Sequence, residues 1–143
     1  MVHRSRHHQP PSSGRNGMQF IDADRKFPIS SAVVHGGRVF EAVVTGIPDG
    51  GTSPVPGGAA AEMLEAFRQL DRLLAEAGID RLAVCTARLY LQDVRTDIAA
   101  VNAAWKDYFG SHPVCRRAYG VDLQAGMRVE AAFTAELPDG PPR

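Results

Sequence analysis

The feature of this sequence that most constrains its fold is the imbalance between its helices and its strands. Only two stretches, residues 59–77 and 97–109, place apolar side chains at helical spacing, and Gly78 and Gly110 follow them directly. The pattern predicts an α+β fold in the order β-β-β-α-β-α-β-β, with a mixed sheet of about six strands. Two helices cover only one face of such a sheet, so we expect another copy of the chain to cover the other face. The predicted strands are residues 19–22, 31–35, 39–45, 82–91, 116–123 and 127–137.

Local signals predict how these elements begin, end and pack. Thr96 is predicted to cap the second helix, Gly36-Gly37 to turn a hairpin, and Ala125-Gly126 to join the last two strands as a second hairpin. Residues 47–58 are rich in Gly, Pro, Ser and Thr and are predicted to form a loop. The side chains expected to face the sheet are Ala60, Met63, Phe67, Leu70 and Leu74 in the first helix and Ile98, Val101, Trp105 and Tyr108 in the second.

Composition excludes several classes of protein. Sixteen basic and sixteen acidic residues give no net charge, which argues against a strongly basic nucleic-acid-binding protein. No apolar run reaches the roughly 18–20 residues that cross a bilayer, and the N-terminus lacks the apolar core of a signal peptide. Two cysteines are too few for a disulfide framework. We therefore expect a cytoplasmic protein without a membrane partner.

The two ends of the chain differ from its middle. Residues 1–17 contain three arginines, no acidic residue and almost no apolar residue, so we expect a disordered tail. His3, His7 and His8 lie in this tail, where nothing would fix a metal geometry, and we expect no metal site. Residues 18–138 are predicted to form a single domain, followed by a frayed end at 139–143. Without the tail the chain has 13 basic and 16 acidic residues, a net charge of −3.

Among the candidate chemical groups, an arginine pair and a glutamate are the most informative. Arg116 and Arg117 open one predicted strand, and Glu130 lies in an otherwise apolar stretch of the next. This arrangement is compatible with a cross-strand salt bridge or a solvent-facing glutamate, and equally with an arginine that binds a substrate carboxylate beside a carboxylate that positions water. Strand alternation lets only one of the two arginines face such a site, and Val121, in phase with Arg116, favours Arg116.

The two cysteines are weaker candidates. Arg116 and Arg117 would lower the pKa of the Cys115 thiol, and His112 lies nearby, but nothing in the sequence aims this histidine at the thiol. Cys85, on an apolar strand, is predicted to pack in the core.

From residue 27 to residue 137 the chain resembles the RidA/YjgF/UK114 family of reactive-intermediate deaminases. The resemblance is carried by the stretch from Thr86 through Asp93 and Val101-Asn102 to Phe109, by the Glu-Ala-Gly that ends at Gly78, and by the closing strands. It implies a chorismate-mutase-like fold and a homotrimer with clefts between subunits. It also implies hydrolysis of 2-imino acids or their enamine tautomers to 2-keto acids and ammonia, on a carboxylate-bearing substrate and without a metal or organic cofactor.

By position, the resemblance places the family's carboxylate-binding arginine on Arg116, its water-orienting glutamate on Glu130 and its helix asparagine on Asn102. Asn102 would equally suit a local hydrogen bond on its helix. The chain departs from the family at Ile29, where the family has tyrosine, and at residues 43–46, Val-Val-Thr-Gly, in place of Ser-Gly-Gln. The connection from Arg116 to Glu130 is one residue shorter than in the family, which leaves Arg117 as a rival.

Three other functions stay open at this level. The same cleft could bind a small metabolite without turnover, or it could serve a biosynthetic enzyme acting on another C=N or C=C substrate. The family has also been linked to ribonuclease activity, but a net charge of −3 argues against tight RNA binding by residues 18–143. Release of keto acid from an imino acid generated in solution would separate turnover from binding.

Overall fold

The computed structural model describes residues 12–13, 17–24 and 26–139. Two long helices and the six predicted strands are all present, in the predicted order, and a short additional strand, Ser12–Ser13, precedes them. The sequence analysis did not predict this strand, which needs only backbone hydrogen bonds to its neighbour. The strands are β1 Ser12–Ser13, β2 Gln19–Ile21, β3 Ala32–His35, β4 Val39–Thr45, β5 Val84–Leu91, β6 Cys115–Gly120 and β7 Val129–Glu136, and the helices are α1 Gly58–Glu76 and α2 Val94–Phe109.

All seven strands join one mixed sheet in the order β1-β2-β3-β4-β7-β5-β6. Every pair is antiparallel except β5 and β6, which α2 connects as a parallel crossover. The predicted hairpin of the last two strands is wrong, because β5 lies between β6 and β7. The turn at Ala125-Gly126 does exist, with both residues at positive φ, but it carries the chain past the end of β5 instead of joining neighbouring strands.

Both helices pack on the same face of the sheet, as the helix count predicts. The core between them is apolar and fully enclosed, with Phe40, Leu70, Leu89 and Phe133 at most 1% exposed. Alternation along β4 and β7 is regular, so every second side chain enters this core and its neighbours lie on the opposite face. We call that opposite face, which no element of the described chain covers, the open face.

The prediction for Cys85 is wrong. It was predicted to pack in the core, but it is exposed on β5. A register shift between Val84 and Thr86 leaves Cys85 and Thr86 both exposed in succession, before Ala87 returns to the core. The Cys85 thiol donates to the carbonyl of Thr134 at 3.3 Å.

The second helix begins earlier than predicted. It starts at Val94, and Asp93 is its N-cap, with a carboxylate oxygen that accepts from the backbone N–H of Thr96 at 3.3 Å. Asp93 therefore takes the capping role that the sequence analysis gave to Thr96, and the helix gains almost one turn at its N-terminal end. This places α2 across the face of β5 and β6.

Neither a membrane-spanning helix nor a metal-binding cluster occurs among the described residues. No helix in this part of the chain is long and apolar enough to cross a membrane. No group of three or more His, Cys, Asp or Glu side chains in residues 12–13, 17–24 and 26–139 could hold a metal ion. Most of the predicted tail, with its three histidines, and the chain after residue 139 lie outside the described residues.

Candidate functional site

Arg116 is a half-buried cation whose contacts are all neutral. It lies on β6, the edge strand, and points to the face that carries the helices. Its Nη2 donates to Oδ1 of Asn102 at 2.8 Å, and its Cζ lies 4.9 Å from the ring centroid of Trp105. Burial lowers the pKa of Arg116, yet arginine stays protonated. No carboxylate of the described residues forms an ion pair with it, so its charge is oriented but not neutralised.

The support beneath Arg116 is anchored in the core. Asn102 and Trp105 are one turn apart on α2 and so share the side of the helix that faces β6. The Trp105 ring packs against Phe109 and Phe133, with centroid separations of 4.6 and 5.9 Å. The aromatic ring that faces the guanidinium is therefore held by a packed cluster, which limits how far Arg116 can move.

Arg117 points to the other side. It pairs in register with Arg88 on β5, and both side chains lie on the open face. Arg117 is exposed and makes no hydrogen bond or ion pair with the described residues. As strand alternation predicts, the two arginines occupy opposite faces, and only Arg116 contacts the helix asparagine.

Glu130 is also on the open face. On β7 it lies directly between Thr45 of β4 and Tyr90 of β5, and it is half-buried. Arg116 shares the helix face with Ala87, whereas Glu130 lies two strands away and on the reverse side. The cross-strand salt bridge considered from the sequence does not form, and one chain by itself does not bring Arg116 and Glu130 together.

A cleft opens beside Glu130 at the end of β4. It has a volume of about 490 Å³ and includes Thr45, the register partner of Glu130. Ile29, the residue that stands at the family's tyrosine position, lines it and is 57% exposed. The rest of the wall mixes apolar and polar groups, namely Ser30, Ser31, Val43, Ile47, Pro48, Asp49, Gly50, Gly51, Asp22 and Gln69.

Two buried polar residues of α1 hold the cleft in place, and the sequence analysis missed both. Gln69 donates to the carbonyl of Ile47 at 2.7 Å and accepts from the N–H of Thr45 at 3.3 Å. Glu62 accepts from the N–H groups of Arg128 and Val129, at 2.8 and 3.3 Å, immediately before Glu130. Their signal in the sequence is a spacing of two helical turns, which puts both on the inward side of α1.

Gly46 lets α1 approach the end of β4. A Cβ at this position would lie 2.5 Å from both the Cβ and the Cγ of Glu62, so no other residue fits without moving the helix. The glycine thus brings Glu62 close enough to bond the start of β7. Gly46 is the last residue of the stretch that stands in place of the family's Ser-Gly-Gln. The close approach of Glu62 explains why this position holds a glycine.

An ion-pair network holds two residues of the cleft wall, Asp22 and Asp49. Arg72 donates to the buried Asp22 at 2.5 Å and to Glu76 at 2.7 Å, and its Nε lies 3.5 Å from Asp49. Asp22 adopts φ of 56°, an unusual backbone value for a residue other than glycine. These contacts fix Asp22 and Asp49, which line the cleft.

The Cys115 and His112 pair considered from the sequence has no catalytic geometry. The His112 ring donates from Nε2 to the carbonyl of Val84 at 2.7 Å. This contact ties the loop after α2 to the start of β5. The thiol of Cys115 is exposed and forms no disulfide, so it stays the weak candidate that the sequence indicates.

Comparison with known proteins identifies the family. Residues 22–137 match the family model described as Endoribonuclease L-PSP, which is the RidA/YjgF family. The chain belongs to this family. Two similar relatives are named 2-iminobutanoate/2-iminopropanoate deaminase. The Bos taurus protein is 35% identical over 104 residues, 72% of this chain and 75% of the relative, and the Homo sapiens protein is 32% identical over 109 residues, 76% and 79%.

Solved structures confirm the RidA-like fold expected from the sequence. A YjgF family member from Neisseria meningitidis superposes with a TM-score of 0.70 at 25% identity, over 89% of this chain and all of that one. The YjgF protein of E. coli gives a TM-score of 0.69 at 19% identity, over 80% and 91% of the two chains.

Proposed function

We propose that this RidA/YjgF protein hydrolyses 2-imino acids, or their enamine tautomers, to 2-keto acids and ammonia. The observation that carries the proposal is Arg116, a half-buried guanidinium oriented by Asn102 and Trp105 and left without a carboxylate partner. A planar cation held in this way suits bidentate capture of a carboxylate from a ligand. The names of the curated relatives support the reaction class.

The site of this reaction is formed by two copies of the chain, in our proposal. One half-site consists of Arg116, Asn102 and Trp105 at the β6 edge. The other consists of Glu130, Thr45 and Ile29 at the cleft on the open face. Because they lie on opposite faces of one sheet, one chain cannot close them around a small molecule, and a homotrimer would supply each half-site from a different subunit.

The proposed reaction needs only a positioned substrate and one carboxylate of the protein. Arg116 binds the substrate carboxylate, which fixes the imine carbon, and Glu130 orients a water molecule toward that carbon. The water oxygen bonds to carbon and gives a proton to Glu130, while the C=N electrons move to nitrogen, which takes up a proton. The resulting carbinolamine passes its hydroxyl proton to the amino group and loses ammonia as the C=O bond forms. An enamine first takes a proton at carbon to become the imine. Neither a metal nor an organic cofactor takes part in these steps.

An oxidase-coupled assay tests the proposal. An amino-acid oxidase generates imino acids from alanine, leucine or phenylalanine in solution, and the rate of keto-acid appearance is followed with and without the protein. Faster release that depends on Arg116 supports the proposal. Wild-type protein that binds keto acids without accelerating release would instead establish the non-catalytic binding function. Acceleration only with an unrelated C=N or C=C substrate would favour the biosynthetic one.

A further inference from the structure

The cleft beside Glu130 has room for more than the reacting atoms of an imino acid. Its volume of about 490 Å³ is typical of sites that enclose ligands much larger than an imine carbon and its carboxylate. The side chain of the substrate has to occupy the remaining space. The lining of the cleft away from Glu130 therefore decides which side chains are accepted.

Part of this lining is aliphatic. Ile29 and Val43 are both exposed large apolar side chains, and Ile47 and Pro48 line the same cleft. Methylene groups of a ligand that cover such side chains are removed from water together with them, which favours binding. This part of the lining suits the hydrocarbon stem of a side chain.

The cleft is also lined by two carboxylates that keep an oxygen unpaired. Asp22 gives Oδ2 to Arg72, but its Oδ1 is buried and has no hydrogen-bond partner among the described residues. Asp49 likewise turns only Oδ2 to arginine, 3.5 Å from Arg72 and 3.8 Å from Arg68, and its side chain is 30% exposed. A buried acceptor without a donor costs free energy, which a donor brought by a ligand would recover.

The negative charge of these two carboxylates is not balanced within the cleft. None of the described residues that line it is a lysine, an arginine or a histidine. Arg72 lies outside the lining and is shared by Asp22, Asp49 and Glu76, so one positive charge faces three carboxylates. The cleft therefore favours a cation. Since no group of three metal-ligating side chains occurs in the described part of the chain, an organic cation fits better than a metal ion.

We infer that the cleft selects 2-imino acids whose side chain has a hydrocarbon stem and a cationic end, with Asp49 and Asp22 facing the cation. The inference rests on the proposed function, because it names the substrates of that reaction. Of the two carboxylates, Asp49 is the more accessible, and it determines specificity without touching the reacting atoms. A guanidinium is the best match, because its planar fork can donate to two carboxylates at once.

A matched pair of substrates tests the inference. An amino-acid oxidase converts arginine and citrulline into imino acids that have the same length, but the guanidinium of the first is cationic and the ureido group of the second is neutral. We expect kcat/KM for keto-acid release to be at least about tenfold higher with the arginine-derived imino acid. Asp49→Asn should lower this ratio at least about threefold, mainly through the arginine-derived substrate. Asp107→Asn, the same change at an exposed aspartate of α2 outside the cleft lining, is the matched control and should keep the wild-type ratio.

Asp22→Asn provides a second variant and should lower the ratio in the same direction. Because Asp22 is buried against Arg72, thermal unfolding first has to show that this variant folds. The partly exposed Asp49 carries the test if it does not. A wild-type ratio near one, or an unchanged ratio in Asp49→Asn, would overturn the inference.

The outcome is separable from that of the proposed function. Hydrolysis of leucine- and citrulline-derived imino acids as fast as the arginine-derived one keeps the function and removes the selectivity. If no imino acid is hydrolysed, the function is removed, and calorimetry with the guanidino keto acid and its ureido counterpart decides the inference. Tighter binding of the guanidino acid that Asp49→Asn weakens would support it, whereas equal affinities or no binding would overturn it.

Discussion

The guanidinium of Arg116 and the carboxamide oxygen of Asn102 are 2.8 Å apart, and neither Asn102 nor the nearby Trp105 carries a charge. A carboxylate at this position would orient the arginine equally well, but it would also neutralise it. A neutral acceptor fixes the direction of the guanidinium and leaves its charge for a ligand. A neutral partner of this kind distinguishes an arginine that can bind a ligand from one whose charge is already neutralised in an ion pair.

Replacing Arg116 should nearly abolish imine hydrolysis. Removing one partner of a desolvated charge-assisted contact costs about 2–5 kcal/mol, or roughly 30- to several-thousand-fold in kcat/KM. Arg116→Lys should recover little activity, because an ammonium lacks the planar fork. Arg117→Ala is the matched control and should retain activity. Loss of activity in Arg117→Ala with full activity in Arg116→Ala would mean that the rival arginine binds the substrate.

Glu130→Gln should separate binding from turnover. The amide is nearly isosteric with the carboxylate, so KM should change little, while loss of a water-orienting base should lower kcat by roughly 100-fold or more. Steady-state kinetics in the oxidase-coupled assay measure both parameters. An equal kcat for wild type and Glu130→Gln would remove Glu130 from the reaction.

Asn102→Asp should be more harmful to activity than Asn102→Ala. An aspartate would pair with Arg116 and compete with the substrate carboxylate, which should raise KM by about tenfold or more. Asn102→Ala only frees the guanidinium to move, and its effect on KM should be smaller. Thermal unfolding controls for stability, since neither change opens a cavity in the core. The reverse order of the two KM values would contradict the positioning role.

Gly46→Ala should destabilise the fold. The added methyl group would meet Glu62 at 2.5 Å and push α1 away from β4, an overpacking that typically costs about 1–3 kcal/mol in the free energy of unfolding. Gly120→Ala is a useful comparison, because its closest neighbour is a side-chain methyl group of Val94 at 3.1 Å, a milder approach than 2.5 Å. Urea denaturation should show a larger loss for Gly46→Ala, and equal losses would argue against the close approach.

Tyr108 should make stability fall in alkaline solution. Burial and a hydrogen bond of 2.5 Å to Asp71 raise the pKa of Tyr108 well above its usual value near 10. The unfolded state therefore loses this proton first as pH rises, so the free energy of unfolding should decline from about pH 10 upward. Tyr108→Phe should weaken that decline in urea melts from pH 8 to pH 11. An unchanged slope would mean that other groups cause it.

The sequence predicted the elements of the fold well because their signals are local. Met63, Phe67, Leu70 and Leu74 are buried as their spacing predicts. The order of strands is not local, and the turn at Ala125-Gly126 suggested a hairpin although β5 lies between the strands it connects. Neighbouring strands in sequence pair often but not always, and here the parallel crossover through α2 decides the order.

The candidate site was predicted in part for a similar reason. Arg116 and Asn102, which the family resemblance assigns to one site, are in contact, and their role at that site stays a prediction. Glu62 and Gln69 were missed because a polar side chain in a helix usually faces water, and only their shared inward side distinguishes them. Cys85 was misplaced because a bulge, invisible in the residue pattern, turns it outward.

The position of β6 at the end of the sheet has a consequence for solubility. Its outer backbone groups have no partner strand among the described residues, and such an edge can recruit strands from other molecules into aggregates. Charged side chains along an edge oppose this, so Arg116 and Arg117 also disfavour the pairing of β6 with strands of other molecules. Arg116→Ala removes one of these two charges along with the guanidinium fork, whereas Arg116→Lys keeps the charge. The lysine variant is therefore better suited to measuring the loss of the guanidinium group without added aggregation.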